Sequence, residues 1–327
     1  MNKQIKISVN IIAKNEADII ANAINSVKDL AEEIIVIDTG STDETATIST
    51  RMGCEVYFHN WEDDFSLIRN IALQYSTCDW ILVIDADEIA TFNYEDLPLM
   101  QMSDEKIGGI NLLLVNHIDE ENSSILSKHR YTRIFRNDKS IRFTGRIHEQ
   151  IRESIEKNYT IYDSDLVIEH FGYESIDKEK LERNTRLLEK DIESDADDWK
   201  YFHLAETHFS AGEKEKALNI FEKIVSSPEL TELQSERVKT RLGQLYLAKD
   251  EYNKSQQVLD FVSTDIDVEG LRKYILGTVM LSTGNIDKSL ELYNSSEVEI
   301  SDLVDKNQLN IAIQGAMQYK SLIENKK

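Results

Sequence analysis

The sequence predicts an α/β domain followed by an all-α domain of helical repeats. Up to about residue 175, short segments rich in Ile and Val alternate with helical patterns. Beyond Asp177 the strand pattern stops, and apolar residues recur at helical spacing with Pro228 as the single proline. We therefore expect one domain at residues 1–175, a connecting helix at 176–195 and a second domain at 196–327.

The elements of the first domain follow one another in a regular order. Each predicted strand is a short, mostly apolar run, and each predicted helix has apolar residues three to four positions apart. This alternation is typical of a mainly parallel sheet with helices on both faces. The predicted strands lie at residues 5–12, 33–38, 55–58 and 80–84, and the predicted helices at 17–27, 43–51 and 64–75.

An internal repeat predicts the architecture of the second domain. Three small residues are each followed, 12 and 16 positions later, by another small residue and by a large apolar one. The units are 38 and 34 residues apart, close to the roughly 34-residue period of tetratricopeptide repeats. The sequence resembles such repeats over about residues 197–296, with 305–323 as a terminal helix. The three sets are Ala205, Ala217 and Phe221; Gly243, Ser255 and Leu259; and Gly277, Ser289 and Tyr293.

Composition excludes several classes of partner. Lys and Arg total 37 against 60 Asp and Glu, a net charge of −23 that would repel nucleic acid and anionic lipid. A phosphate-bearing substrate would therefore need a bridging cation. No apolar run is long enough to cross a bilayer and the N-terminus lacks a signal-peptide pattern, so we expect a cytoplasmic protein. Cys54 and Cys78 form no metal motif and are expected to be buried as small apolar residues.

Acidic residues follow the strand at 80–84, at the edge of the sheet where open α/β sheets bind ligands. This strand runs into Asp85, Ala86 and Asp87. Two aspartates one residue apart can direct one carboxylate toward a ribose and the other toward a divalent cation on a diphosphate. Acidic pairs are also common in solvated loops, so the buried strand before them is what favours a site.

Two further strands end in polar residues. The second strand ends at Asp38, and we assign Asp38 to a ligand and Asp43 to the N-cap of the next helix. The first strand leads into Ala13, Asn15 and Glu16. Because the carboxyl ends of parallel strands meet at one edge, these residues predict a single site.

Four segments resemble the family 2 glycosyltransferases, which are inverting enzymes of the GT-A fold that use nucleotide-diphosphate sugars. The segments are VNIIAKNEADI, EIIVIDTGSTDET, WEDDFSLIRN and WILVIDADE, and the resemblance extends over about residues 7–173. It implies that Ala13, Asn15 and Glu16 line the nucleotide base pocket, with Asp38 near the uridine.

The same resemblance implies roles for the acidic segment. Asp85 and Ala86 would face the nucleotide, and Asp87 would hold Mg²⁺ or Mn²⁺ on the pyrophosphate. His170, in Glu169-His170-Phe171-Gly172-Tyr173, resembles the C-terminal histidine with which many GT-A enzymes complete the metal or phosphate site. Without the family, a structural, hydrogen-bonded histidine is the alternative.

Arg69 lies on the predicted helix at 64–75, whose apolar residues can pack inward. Its guanidinium could then bond nucleotide or phosphate oxygens. The alternative is a surface ion pair with Asp63 or Asp64. In the family that the sequence resembles, an Arg-Asn pair borders the nucleotide site, which favours the ligand-binding role.

An inverting transfer needs a base beside the acceptor, and Glu149 is our candidate. It stands in a Gly-x-x-His-Glu context similar to the position at which related GT-A enzymes carry a catalytic acid. The usual Glu-Asp pair is His-Glu here, so His148 could share or replace that role.

These features predict a metal-dependent transferase that moves glucose or an N-acetylhexosamine from a UDP-sugar to a peptide, protein or cell-surface glycan. The helical repeats suit a peptide, a partner protein or a homodimer contact. The order of modules resembles the sublancin-type peptide S-glycosyltransferases. One alternative is a non-catalytic scaffold. Another is a sugar-nucleotide nucleotidyltransferase, which needs a glycine-rich basic loop where AKNEAD stands.

Overall fold

A computed structural model describes residues 5–117, 125–171 and 178–324 of the chain. The chain divides into two compact units between Ile176 and Asp177. The first unit is α/β and the second is all-α, so the predicted fold class is confirmed. Asp177 and the predicted boundary at 175–176 lie outside the described residues, as do Gly172 and Tyr173 of the His170 segment.

The first unit contains every strand and helix that the sequence predicted up to residue 84. All three helices begin one to three residues later than predicted. The amides of Ile19 and Ile20 donate to the carbonyl of Glu16 in a turn that delays α1, and the Asp64 carboxylate caps α3 by accepting from the Leu67 amide at 2.9 Å. The elements are β1 (Ile7–Ala13), α1 (Ile20–Val27), β2 (Glu33–Asp38), α2 (Thr45–Arg51), β3 (Glu55–Phe58), α3 (Phe65–Tyr75), β4 (Trp80–Val83), β5 (Glu88–Ala90), α4 (Leu99–Ser103), β6 (Ile107–His117), β7 (Ile125–Arg136), α5 (Arg152–Glu156) and β8 (Thr160–His170).

The strands form one mixed sheet in the order β3-β2-β1-β4-β7-β6-β8-β5. The four strands predicted from sequence pair in parallel. Beyond β4 the sheet continues with antiparallel pairs at β4–β7, β6–β7 and β5–β8, and a parallel pair at β6–β8. The expectation of a mainly parallel sheet is therefore wrong for this half, where the neighbouring strands β6 and β7 pair directly and need no crossover helix.

Strand β1 lies in the centre of the parallel half, between β2 and β4. Side chains on both of its faces are buried: Ile7, Val9 and Ile11 lie on one face and have no exposed surface, and Ser8 and Asn10 on the other face are buried as well. Burying one such side chain contributes about 1.5–3 kcal/mol. The hydrophobic core thus fixes the position of β1, and the C-terminal end of β1 forms one part of the site.

The strand register brings the polar ends together as predicted. Ala13 lies opposite Asp38 in the β1–β2 pair. The Ile84 amide donates to the Asn10 carbonyl, so the chain leaving β4 runs beside the end of β1. Asp85 therefore follows at the same edge.

The second unit consists of helices, and its repeat positions pack as predicted. Small residues on one helix of each pair lie against large ones on the next: an added Cβ on Gly243 would lie 2.7 Å from the Leu259 side chain, and one on Gly277 would lie 2.6 Å from the Tyr293 ring. None of the described helices combines the length and apolar character that crossing a bilayer demands. The helices are α6 (Lys178–Ser194), α7 (Asp198–Ser210), α8 (Lys214–Ile224), α9 (Glu232–Ala248), α10 (Tyr252–Val258), α11 (Ile266–Ser282), α12 (Ile286–Tyr293), α13 (Ser296–Ile300) and α14 (Lys306–Glu324).

The close approach of helices α11 and α13 predicts a large effect of Gly270→Ala. The new methyl carbon would lie 2.3 Å from the carbonyl oxygen of Glu297, a backbone atom that cannot turn aside. We expect the free energy of unfolding, measured by urea denaturation, to fall by about 1–3 kcal/mol. Gly315→Ala is the matched control, since Gly315 on α14 has open space and Ala favours a helix by up to about 1 kcal/mol. Equal effects of the two substitutions would contradict the packing.

Candidate active site

Asp85 is held between two arginines at the end of β4. Its Oδ1 accepts from Nη2 of Arg69 at 2.9 Å, and its Oδ2 lies 3.5 Å from Nη2 of Arg133. Removal of water would by itself raise the pKa of this carboxyl, but the two guanidinium groups hold the pKa of Asp85 well below its usual range. Asp85 is thus a permanently charged centre of the site.

Arg69 is buried on α3 and joins two carboxylates. Besides Asp85, its Nε donates to Oε1 of Glu149. Burial alone would lower the pKa of Arg69, but Asp85 and Glu149 raise it. The side chain is 8% exposed, so the predicted alternative of a surface pair with Asp63 or Asp64 is wrong. Its Nη1 is buried and has no hydrogen-bond partner among the described residues.

A closed turn carries Glu149 to Arg69. The backbones of Thr144 and Gln150 exchange two hydrogen bonds of 2.9 Å, which close the loop between them. Within the loop Gly145 and His148 have φ angles of 92° and 53°, in the left-handed region. A non-glycine residue there indicates a constrained turn, and this turn directs Glu149 inward, where its side chain is 13% exposed.

Helix α3 fixes the same loop at two more points. The Asn70 side-chain amide donates to the Phe143 carbonyl and accepts from the Phe143 amide, both at 2.9 Å. The Phe65 amide donates to the Arg146 carbonyl at 2.9 Å. The two residues of the Arg-Asn motif therefore have different roles: Asn70 binds the backbone of Phe143, and Arg69 binds the carboxylate of Glu149.

Asp87, two residues after Asp85, lies next to His170. Nε2 of His170 is 3.2 Å from Oδ2 of Asp87, and Nδ1 is 2.9 Å from Oδ1 of Asn116. Because an amide oxygen only accepts, Nδ1 carries a proton and Nε2 is directed at Asp87. Burial lowers the pKa of His170, but the hydrogen bond and charge of Asp87 outweigh it, so the pKa is raised.

A carboxylate and an imidazole side by side are suitable donors for a divalent cation. Within residues 5–117, 125–171 and 178–324, no group of three or more His, Cys, Asp or Glu residues could hold a metal ion. The donor set nevertheless fits Mg²⁺ or Mn²⁺, which commonly take one or two protein ligands and complete their shell with substrate phosphates and water. The contact between Nδ1 of His170 and Oδ1 of Asn116 is of the kind that orients a metal-binding imidazole.

Asp38 has one oxygen in a turn and one without a partner. Its Oδ1 accepts from the amides of Gly40 and Ser41 at 2.9 and 2.8 Å. Its Oδ2 is buried and has no partner among the described residues. Asp38 therefore shapes the turn, a role that the sequence had given to Asp43 alone, and keeps one acceptor available.

The loop after β1 is tied to the loop after β2. The Asn15 amide oxygen accepts from the Thr42 amide at 2.8 Å, and the Glu16 amide donates to Oγ1 of Thr45 at 2.8 Å. Asp43 accepts from the Thr45 amide at 3.0 Å. It is structural, as predicted, although Glu44 holds the N-cap position of α2. Asn15 and Glu16 thus lie in a firmly braced loop.

Residues 8–165 match the protein-family model "Glycosyl transferase family 2". They form a family 2 glycosyltransferase domain. The matched span contains Asp38, Arg69, Asp85, Asp87 and Glu149, and it ends before His170.

Relatives of the glycosyltransferase domain include one protein that is named for its repeats and one named as a glycosyltransferase. A TPR repeat-containing protein of Synechococcus elongatus is 34% identical over 175 residues, which are 51% of this chain and 42% of that protein. The SPbeta prophage-derived glycosyltransferase SunS of Bacillus subtilis is 29% identical over 289 residues, which are 83% of this chain and 66% of that protein. The chain thus spans less than two thirds of the length of either relative. Among solved structures, S. aureus TarS has a TM-score of 0.43 at 16% identity, covering 78% of this chain and 55% of that chain.

Two residues of the glycosyltransferase domain's site were missed by the sequence analysis. Glu88 and Arg133 form an ion pair with an oxygen–nitrogen distance of 2.6 Å beside Asp85. Burial raises the pKa of Glu88 to about 7 even though Arg133 lowers it. Glu88 directly follows Asp87, which was an available signal, whereas Arg133 could be found only by knowing that β7 pairs with β4.

The remaining predicted residues of the domain lie around this centre. Ala13 and Ala86 are buried at the strand ends. His148 precedes Glu149 in the turn, and its carbonyl accepts from the Gln150 side chain at 3.0 Å. The structure therefore brings Glu149 to Arg69 and leaves the His148 side chain exposed.

The double role of Arg69 predicts that Arg69→Lys destabilises the glycosyltransferase domain. One ammonium group cannot satisfy both carboxylates in the geometry of a planar guanidinium, and a buried carboxylate without its partner is costly. We expect the free energy of unfolding, measured by chemical denaturation, to fall by about 2–4 kcal/mol. Arg152→Lys is the control, because Arg152 forms an exposed pair with Glu156 and should change the value by no more than about 0.5 kcal/mol. An unchanged free energy of unfolding in Arg69→Lys would show that the bridge does not stabilise the loop.

Proposed function

We propose that the chain transfers a sugar from a UDP-sugar to a nucleophile on a peptide, protein or cell-surface glycan, with inversion at the anomeric carbon. The observation that carries the proposal is the Arg69 bridge, which links Asp85 at a strand end to Glu149, a loop residue 80 positions after Arg69 in the chain. Within a family 2 glycosyltransferase domain, it connects Asp85, which would face the nucleotide, to Glu149, the candidate base.

Donor binding falls to the residues at the ends of β1 and β2. The buried Oδ2 of Asp38 is an acceptor without a partner among the described residues, so it suits an N–H or O–H of the uridine. Ala13 ends β1, and Asn15 and Glu16 belong to the loop that follows it. These three residues would form the wall of the base pocket. Asp85 and Ala86 would face the ribose and phosphates.

The diphosphate is the part of the donor that a cation would bind. Asp87 and His170 are the residues that would hold Mg²⁺ or Mn²⁺, and the bound cation would offset the charge of the departing UDP. Arg69 offers a second positive group, because its buried Nη1 is not used by the residues described. Such preorganised charges stabilise a leaving group without having to reorient during the reaction.

Glu149 is the proposed general base. Its carboxylate accepts from Nε of Arg69, and this charge-assisted hydrogen bond orients it within the site. It would remove the proton of the acceptor nucleophile as the anomeric carbon is attacked from the face opposite UDP. His148, its neighbour in the constrained turn, is the alternative base.

The helical unit supports a macromolecular acceptor. Paired helices stacked in sequence form extended surfaces that suit peptides and partner proteins. The similarity to the glycosyltransferase SunS covers 83% of this chain, so it extends into this unit. The acceptor could equally be a cell-surface glycan, with the helices serving as a homodimer contact.

The metal role predicts that Asp87→Asn suppresses UDP release from UDP-glucose and UDP-N-acetylhexosamines. Loss of one cation ligand weakens the charge compensation on UDP, and we expect about a 10²–10³-fold loss of rate. Excess chelator should have the same effect on the unaltered protein. Asp165→Asn is the control, because Asp165 is fully exposed. Unchanged turnover in chelator would eliminate the metal role, and release of pyrophosphate in place of UDP would favour a nucleotidyltransferase.

The base role predicts a different signature for Glu149→Gln. The amide can still accept from Arg69 but cannot take a proton, so kcat should fall by about 10²–10⁴-fold while KM for the donor changes little. Glu153→Gln, an exposed neighbour on α5, is the matched control. If His148→Gln removes activity and Glu149→Gln does not, the histidine is the base.

A further inference from the structure

We propose that Glu88 and Arg133 are positioning residues for the donor site, which fix the turn that carries Asp85 and Asp87. This inference rests on the proposed function, since it concerns the binding of the same nucleotide. Neither residue was part of the predicted site. The side chain of Glu88 is buried, at 3% exposed, and that of Arg133 is partly buried, at 14% exposed.

Glu88 closes the acidic turn on itself. Its Oε2 accepts a hydrogen bond of 2.9 Å from the backbone amide of Asp85, three residues earlier. In the opposite direction, the Glu88 amide donates to the Asp85 carbonyl at 3.1 Å. Asp87 lies within this closed loop, so the direction of its carboxylate depends on the two bonds between Asp85 and Glu88.

Arg133 fixes the turn to the sheet. Its Nη2 donates to Oε1 of Glu88 at 2.6 Å and lies 3.5 Å from Oδ2 of Asp85. Strand β7 supplies this arginine beside β4, since Ile134 lies opposite Leu82. One guanidinium therefore separates two carboxylates that would otherwise repel each other in a buried place.

Glu88 also connects the turn to the strand that bears His170. Residues Glu88 and His170 are direct partners in the antiparallel β5–β8 pair. The proposed cation ligands Asp87 and His170 thus come from two backbones that meet at Glu88. A change at Glu88 or Arg133 should alter the spacing of those ligands without removing either one.

The experiment compares Glu88→Gln and Arg133→Lys with Arg136→Lys in the full chain. Arg136 lies on the same strand but stacks on Trp80 at 4.8 Å and donates to the Ile107 carbonyl at 2.7 Å. It is therefore an arginine of β7 with a structural role only. Affinity for UDP in the presence of MnCl₂ is measured by titration calorimetry, and the melting temperature is measured for each variant.

We expect Glu88→Gln and Arg133→Lys to bind UDP with Mn²⁺ about 10–100-fold more weakly, as residues that orient metal ligands do when changed. Arg136→Lys should melt lower and bind within twofold of the wild type. The double variant Glu88→Gln/Arg133→Lys should bind no more weakly than the weaker single variant, because both act through one turn.

Wild-type-like UDP affinity in both single variants, with a lowered melting temperature, would overturn the inference and leave the pair a purely structural role. If Arg133→Lys does not fold, the isosteric Glu88→Gln decides the question. Absence of UDP binding by the wild-type chain with Mn²⁺ is a separate result, which rejects the proposed function and this inference together.

Discussion

The site depends on one buried guanidinium that satisfies two carboxylates. Arg69 comes from a helix, Asp85 from a strand end and Glu149 from a loop. The two ion pairs of Arg69 therefore connect three separate elements. Withdrawing an arginine from water is costly unless its charge is matched. The fold therefore holds the loop and the strand end together through the same two ion pairs that match the charge of the buried guanidinium.

Around this bridge the charges alternate. Glu149, Arg69, Asp85, Arg133 and Glu88 form a continuous chain of ion pairs. Each arginine separates two acids, and each end of the chain reaches a different part of the proposed chemistry, the base on one side and the cation ligands on the other. In the proposed function, this alternation would allow a protein with an excess of acidic residues to keep positive charge beside a bound diphosphate.

Local patterns were sufficient for the parallel half of the fold. Ile- and Val-rich runs ending in Asp38 and Asp85 indicated both the strands and the edge at which they meet, and the offset between Gly243 and Leu259 indicated the helix pairs. The antiparallel half was not predicted, because pairing of β7 with β4 is set by long-range packing. For the same reason Arg133 was missed, and the choice between two partners for Arg69 stayed open until burial was known.

The left-handed backbone at His148 restricts how the loop can change. Its φ of 53° is accessible to Gly, Asn, Asp and His but strained for β-branched side chains. Many substitutions of His148, for instance in a search for a new acceptor, would therefore strain the backbone of the loop whatever their chemistry. Variant libraries that allow only Gly, Asn, Asp and His at position 148, and vary exposed loop residues such as Thr144 and Gln150 instead, would contain more folded proteins.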